Sequence, residues 1–106
     1  MADRLLVITT LPDETAGEMV AKRLIEGGFA ACVNISAPVT SIYRWEGKIE
    51  SGREVMLTIK TTAARYAAVE QVILVDHPYE LPEVIAVPIT AGSDEYLAWI
   101  DACTKS

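Results

Sequence analysis

The chain is poor in the residues that usually announce chemistry. Among its 106 residues there is one histidine, His77. The two cysteines, Cys32 and Cys103, lack the C-x-x-C spacing of a thiolate metal site or a redox motif. Both read as buried apolar side chains rather than as a disulfide or a nucleophile. No G-x-S-x-G elbow, phosphate-binding Walker loop or G-x-G-x-x-G turn occurs. With 6 glycines and 5 prolines scattered along it, the sequence has no repeat, linker or low-complexity segment, and residues 1–106 read as a single domain. Basic residues are also scarce, 9 against 15 acidic, for a net charge of −6. That balance excludes nucleic acid, whose phosphates need a basic patch, and favours attraction of cations. No apolar run approaches the length of a membrane span, so no membrane role is expected. Met1-Ala2-Asp3-Arg4 leads into Leu5–Thr10, too short for the apolar core of a signal peptide and its cleavage site, and a cytoplasmic location is the expectation.

What the chain has in plenty is apolar surface: 51% of its residues are hydrophobic and the mean hydropathy is +0.26. For so small a domain this favours buried interfaces. Two arms of strand character, Ala31–Glu46 and Ile49–Thr61, meet at the turn Trp45-Glu46-Gly47-Lys48. On the outgoing arm Tyr43 and Trp45 share one face, and Ile42, Arg44 and Glu46 the other. On the return arm Val55, Leu57 and Ile59 alternate with Met56, Thr58 and Lys60. A strand run of roughly 14 residues spans about 45 Å, against a radius of gyration of about 13 Å for a domain of this length. Pro38 predicts a bend or bulge in the arm. A tip carrying Ile42, Tyr43, Trp45 and Ile49 predicts burial against another subunit, with Met56 in the same interface.

The rest of the chain is read from its periodicity. Leu5–Thr10 suits a central strand covered on both faces. Asp13 caps a helix over Glu14–Glu26 whose inner face carries Ala16, Met19, Val20, Leu24 and Gly27. Thr61 or Thr62 caps a second helix, Ala63–Val75, with Tyr66, Val69, Val72 or Ile73, and Val75 inward. His77-Pro78-Tyr79-Glu80-Leu81-Pro82-Glu83 is a loop held out of helix by two prolines. Val84–Ile89 is the last strand. Ser93 caps a third helix, with Leu97, Ile100 and Cys103 inward. The order β-α-β-β-α-β-α is that of an α+β, ferredoxin-like βαββαβ sandwich with an extra C-terminal helix and a long β-hairpin. Two helices cover one sheet face, and the other stays apolar unless another subunit covers it.

His77 stands among Asp76, Tyr79, Glu80 and Glu83. Imidazole with nearby carboxylates suits Cu²⁺, Zn²⁺ or Ni²⁺. The same set also describes a histidine held by hydrogen bonds in a rigid turn. Proton transfer is a further use for His77 with Glu80 or Glu83, or for Glu50, Glu54, Lys60 and Tyr43 on the hairpin. Nothing marks a nucleophile, no residue is assigned a catalytic role, and the chain is not expected to be an enzyme.

Three blocks carry a resemblance: Thr40-Ser41-Ile42-Tyr43-Arg44-Trp45-Glu46-Gly47-Lys48-Ile49-Glu50, Glu54-Val55-Met56-Leu57-Thr58-Ile59-Lys60-Thr61, and His77-Pro78-Tyr79-Glu80-Leu81-Pro82-Glu83. With Pro12-Asp13-Glu14, Ala30-Ala31-Cys32-Val33-Asn34 and Tyr96-Leu97-Ala98-Trp99-Ile100, they resemble the CutA family of divalent-cation tolerance proteins over almost the whole chain. The resemblance implies a tight homotrimer like that of the PII signalling proteins, with hairpin arms pairing between neighbours and clefts between subunits. It implies divalent metal binding, copper above all, in the response to metal ions, with His77 as the first ligand and Asp76, Glu80 or Glu83 beside it. It also leaves a PII-like alternative, in which the clefts take a small molecule or a partner protein. Some bacterial members carry a cysteine where Thr9 stands, and a second histidine where Asp76 stands. Without that thiolate the expected affinity for Cu(I) falls, while a carboxylate suits a harder or borderline divalent ion.

Overall fold

Side-chain alternation along the first strand sets the core. In the computed structural model, which describes residues 4–105, β1 (Arg4–Leu11) turns Val7, Thr9 and Leu11 to one side, fully buried. It lies at the centre of the sheet, between β4 (Lys48–Thr62) and β5 (Ile85–Pro88), antiparallel to both. β2 (Cys32–Ile35) flanks β4 on its other side, giving the order β2-β4-β1-β5. β3 (Val39–Trp45) pairs only with β4.

α1 (Glu14–Glu26) starts where the Asp13 carboxylate accepts the Ala16 N–H at 2.8 Å, as expected of a helix cap. It ends at Gly27-Gly28, where Gly28 takes the positive φ of +70° that a side chain resists. Its Val20 and Leu24 meet Val69 and Ile73 of α2 (Tyr66–Asp76), together with Val55, Leu57 and Ile59 of β4, in one core. α3 (Asp94–Cys103), capped by Ser93, buries Ile100. An Arg4–Asp101 pair, 3.0 Å at Nε–Oδ1 and 2.6 Å at Nη2–Oδ2, ties α3 to the start of β1. The ferredoxin-like order is therefore the observed one.

Several local expectations are corrected. Met19 and Val75 lie outside the core, 52% and 67% exposed, because the inner stripes of α1 and α2 are narrower than their apolar patterns. Cys103 is exposed and Cys32 half-buried, so neither is the buried apolar side chain expected; Cys103 falls on the last turn of α3, past the buried Ile100. Neither threonine caps α2: a 3₁₀ turn, Ala63–Arg65, intervenes, and Thr62 begins it without a side-chain hydrogen bond. β1 is central, yet within the chain helices cover one face alone. Leu6 and Ile8 look out on the other beside Ile85 and Val87, which are 51% and 43% exposed.

The hairpin is where the chain leaves its own core. The first arm breaks between Ile35 and Val39, around Pro38, as expected. The second does not break: β4 runs unbroken for 15 residues. Its inner half, Val55–Thr62, pairs with β1, whereas Lys48–Glu54 pairs only with β3. The two-residue turn has positive φ at both Glu46 (49°) and Gly47 (81°), the backbone that matches the twist of a tight hairpin. The longest dimension of the molecule, 44 Å, accommodates this projection.

Candidate functional site

α2 stops at Asp76 because His77 precedes a proline, which disfavours the helical conformation before it. His77 is extended, at φ −77° and ψ 133°, and its N–H closes the helix on the Ile73 carbonyl at 2.9 Å. This places its imidazole, 9% exposed, against the end of β1. Nε2 lies 2.6 Å from the Thr10 carbonyl oxygen, and the Tyr79 N–H donates to Nδ1 at 3.1 Å. A carbonyl only accepts and a backbone N–H only donates. The ring is therefore the tautomer with its proton on Nε2 and its lone pair on Nδ1.

Tyr79 follows from this anchor. Its ring sits 4.6 Å from the imidazole, tilted by 50°. Its hydroxyl is pushed up to about 12, first by burial and then by the nearby Glu54 carboxylate, so it stays protonated. Glu54 pairs with Val39 across the hairpin, so it shares a face with Ser41, Tyr43 and Trp45. Two residues on, Met56 lies on the same face opposite Thr10.

The hairpin and the loop thus enclose a cleft of about 820 Å³. Tyr43, Trp45 and Tyr79 supply its aromatic wall, with Ile42 and Leu81 beside them. Its charged lining is Glu54, Glu80 and Glu83 against one guanidinium, Arg44, which makes it an electronegative cleft.

The four expected metal ligands fall into two places. Glu80 and Glu83 are exposed on the cleft wall. Asp76 lies behind, its Oδ2 2.8 Å from Arg23 Nε of α1 in an ion pair that lacks the alignment of a hydrogen bond. His77 stands between, both ring nitrogens occupied. Among the described residues no three His, Cys, Asp or Glu side chains come close enough to hold an ion. Of the five residues expected at an interface, Ile42, Tyr43 and Trp45 line the cleft, Ile49 is 72% exposed at the tip, and Met56 is half-buried on the open sheet face. The partner of His77 on β1 was missed, because a backbone carbonyl leaves no mark in the sequence. That Glu54 shares a face with Tyr43 was within reach, since a two-residue turn at Glu46-Gly47 fixes the register.

Comparison with known proteins places these features in one group. The family model described as CutA1 divalent ion tolerance protein matches residues 5–103. The divalent-cation tolerance protein CutA of Thermus thermophilus is 41% identical over 95 residues, covering 90% of this chain and 92% of its own. The chloroplastic protein CutA of Arabidopsis thaliana is 40% identical over 102 residues, 96% of this chain, but the chain spans only 56% of that protein's length. Among solved structures, CutA1 from Shewanella sp. SIB1 superposes with a TM-score of 0.96 at 42% identity, covering 99% of this chain and 98% of its own.

Proposed function

The chain belongs to the CutA1 divalent ion tolerance family, and from that premise we propose that it serves tolerance of divalent cations as a non-catalytic homotrimer that binds a divalent metal such as Cu²⁺. The observation that carries this reading is the charge of the cleft, three carboxylates against one guanidinium. The donors suit a borderline divalent ion: imidazole nitrogen from His77 and carboxylate oxygens from Glu80 and Glu83. His77 would offer Nδ1, the nitrogen with the lone pair, and would release the Tyr79 N–H in doing so. Asp76 would join only on leaving Arg23. Among the described residues one chain offers no full set of ligands, and a neighbour's hairpin is the proposed source of the remainder.

The trimer is supported by two apolar surfaces, one on the open sheet face at Leu6, Ile8, Ile85 and Val87, the other at the hairpin tip. Exposed apolar area of this kind is characteristic of an interface. A cytoplasmic location is proposed with it.

Native mass spectrometry with and without Cu²⁺, on the wild type and on His77→Ala, tests the metal site. The expected result is a trimer that takes up about one ion per subunit and loses it in the variant. Equal uptake by both proteins would remove His77 from the site.

A second reading is favoured by the size of the cleft. At about 820 Å³ it falls in the range of small-molecule pockets, far beyond the needs of an ion. On this reading the protein is a PII-like binding module whose inter-subunit clefts take a small molecule or a partner protein. A change in the 78–83 loop on ligand binding, without metal, is its expected signature.

A further inference from the structure

Two exposed apolar surfaces of the chain carry opposite charge. In the register of the hairpin, Ile42, Arg44, Ile49 and Arg53 share one face, and Tyr43 and Trp45 lie on the other. Where β3 pairs with Lys48–Glu54, no carboxylate of either strand falls on the face of the two isoleucines. α3 is its complement. Tyr96 and Trp99, three residues apart on one side of the helix, are both exposed, their rings 5.3 Å apart. Asp94 and Glu95 stand exposed in the first turn, and the helix has no lysine or arginine. Among the described residues no ion pair engages Arg44, Arg53, Asp94 or Glu95. The two surfaces do not meet within one chain. Between Ile49 and Thr62, β4 spans about 40 Å of extended strand. Thr62 pairs with Arg4, to which Asp101 of α3 is bonded, so the tip and its own α3 lie at opposite ends of the molecule. The acidic 78–83 loop already faces the hairpin of its own chain.

We infer that α3 is the seat for the hairpin of a second copy of this chain. Ile42 and Ile49 pack on Tyr96 and Trp99 of the partner subunit, and Arg44 and Arg53 meet the partner's Asp94 and Glu95. The complementary charges fix the register of the contact, and a guanidinium gains further from the face of an aromatic ring. This rests on the trimer reading above and gives that assembly a specific contact. Tip and seat are different patches of one chain, so the contact is heterologous. Repeated by rotation, it closes a ring such as a trimer rather than a two-fold dimer.

The test is a charge exchange on the full chain, read by analytical ultracentrifugation across a dilution series. Arg44→Glu with Arg53→Glu, and separately Asp94→Lys with Glu95→Lys, are each expected to weaken assembly about tenfold or more, and the chain carrying all four changes is expected to regain it. A second measurement does not depend on charge. With Cys32 and Cys103 replaced by serine, Ile49→Cys and Tyr96→Cys in one chain are expected to give disulfide-linked trimers on mild oxidation, whereas Ile49→Cys alone is not. A wild-type trimer whose fourfold variant stays dissociated, or whose cysteine pair does not link, would overturn the inference and leave the trimer standing. A wild type that is monomeric at every concentration would remove the trimer reading along with it.

Discussion

His77 Nε2 meets the Thr10 carbonyl at 2.6 Å, so the loop that walls the cleft hangs from the end of the central strand. The hydrogen bond joins residues 67 apart in sequence. It accounts for the burial of a histidine that the sequence would allow to stand in solvent.

From this follows the first expectation, a hypothesis about stability. His77→Ala leaves the Thr10 carbonyl and the Tyr79 N–H without their partner. Loss of a partner from a buried polar group costs about 1–3 kcal/mol. The urea midpoint should fall accordingly, and amide exchange at Tyr79 should quicken. An unchanged midpoint would mean that water replaces both bonds.

Tyr79 gives a pH dependence whose sign is fixed. Its ordinary value is 10.0, and the fold raises it to about 12, mainly by burial and then through Glu54. The fold thus favours the protonated phenol. The stabilisation is complete below the unfolded value and disappears as pH rises through the folded one. Ultraviolet titration should show a tyrosine that ionises late, and Tyr79→Phe should remove it and flatten stability across the same alkaline window. Titration of all tyrosines together near the ordinary value would contradict the burial of the Tyr79 hydroxyl beside Glu54. Tyr66, also raised by burial and by Glu70, is the internal control.

At the other end of the scale, the Arg4 guanidinium holds Asp101 below the ordinary carboxylate value, its hydrogen bond outweighing the opposing effect of burial. A lowered folded value stabilises above the unfolded value and is lost as pH falls through the folded one. Acid should therefore loosen α3 before the sheet, seen as faster amide exchange along Asp94–Cys103. Asp101→Asn should bring that loosening to neutral pH. If exchange in α3 is the same in both proteins, the pair does not anchor the helix.

Trp45 tests the assembly. It is 37% exposed in the single chain, a large aromatic at a projecting tip. If a neighbour buries it, Trp45→Ala should cost roughly 3–5 kcal/mol of assembly free energy, the range for truncating a buried aromatic. Analytical ultracentrifugation at low concentration should then show dissociation of the trimer. Intact assembly at every concentration would place the ring outside the interface.

The fold was legible because its signals are local. Alternation on β4, the Asp13 and Ser93 caps and the Glu46-Gly47 turn each act over a few residues, and the structure has all of them. Errors came where a pattern was wider than the surface it packs on, as at Met19 and Val75, or where a 3₁₀ turn replaced a helix cap at Thr62. The site was legible in part. Composition singled out His77 and its acidic neighbours, but spacing along a loop does not tell which carboxylates face the ring. Asp76, adjacent in sequence, turns back to Arg23, while Glu54, 23 residues before His77, lines the cleft with Tyr79.

By itself, then, the sequence determined the order of elements, the projecting hairpin and the acidic loop around His77, since periodicity, turn chemistry and charge are properties of neighbours along the chain. Only the tertiary structure decided that His77 has both nitrogens engaged, that Asp76 pairs with Arg23 while Glu80 lines the cleft, and that Tyr79 comes near Glu54. Those relations depend on which strand end the loop meets in space, and a hydrogen bond to a backbone carbonyl can be made by any residue that arrives there.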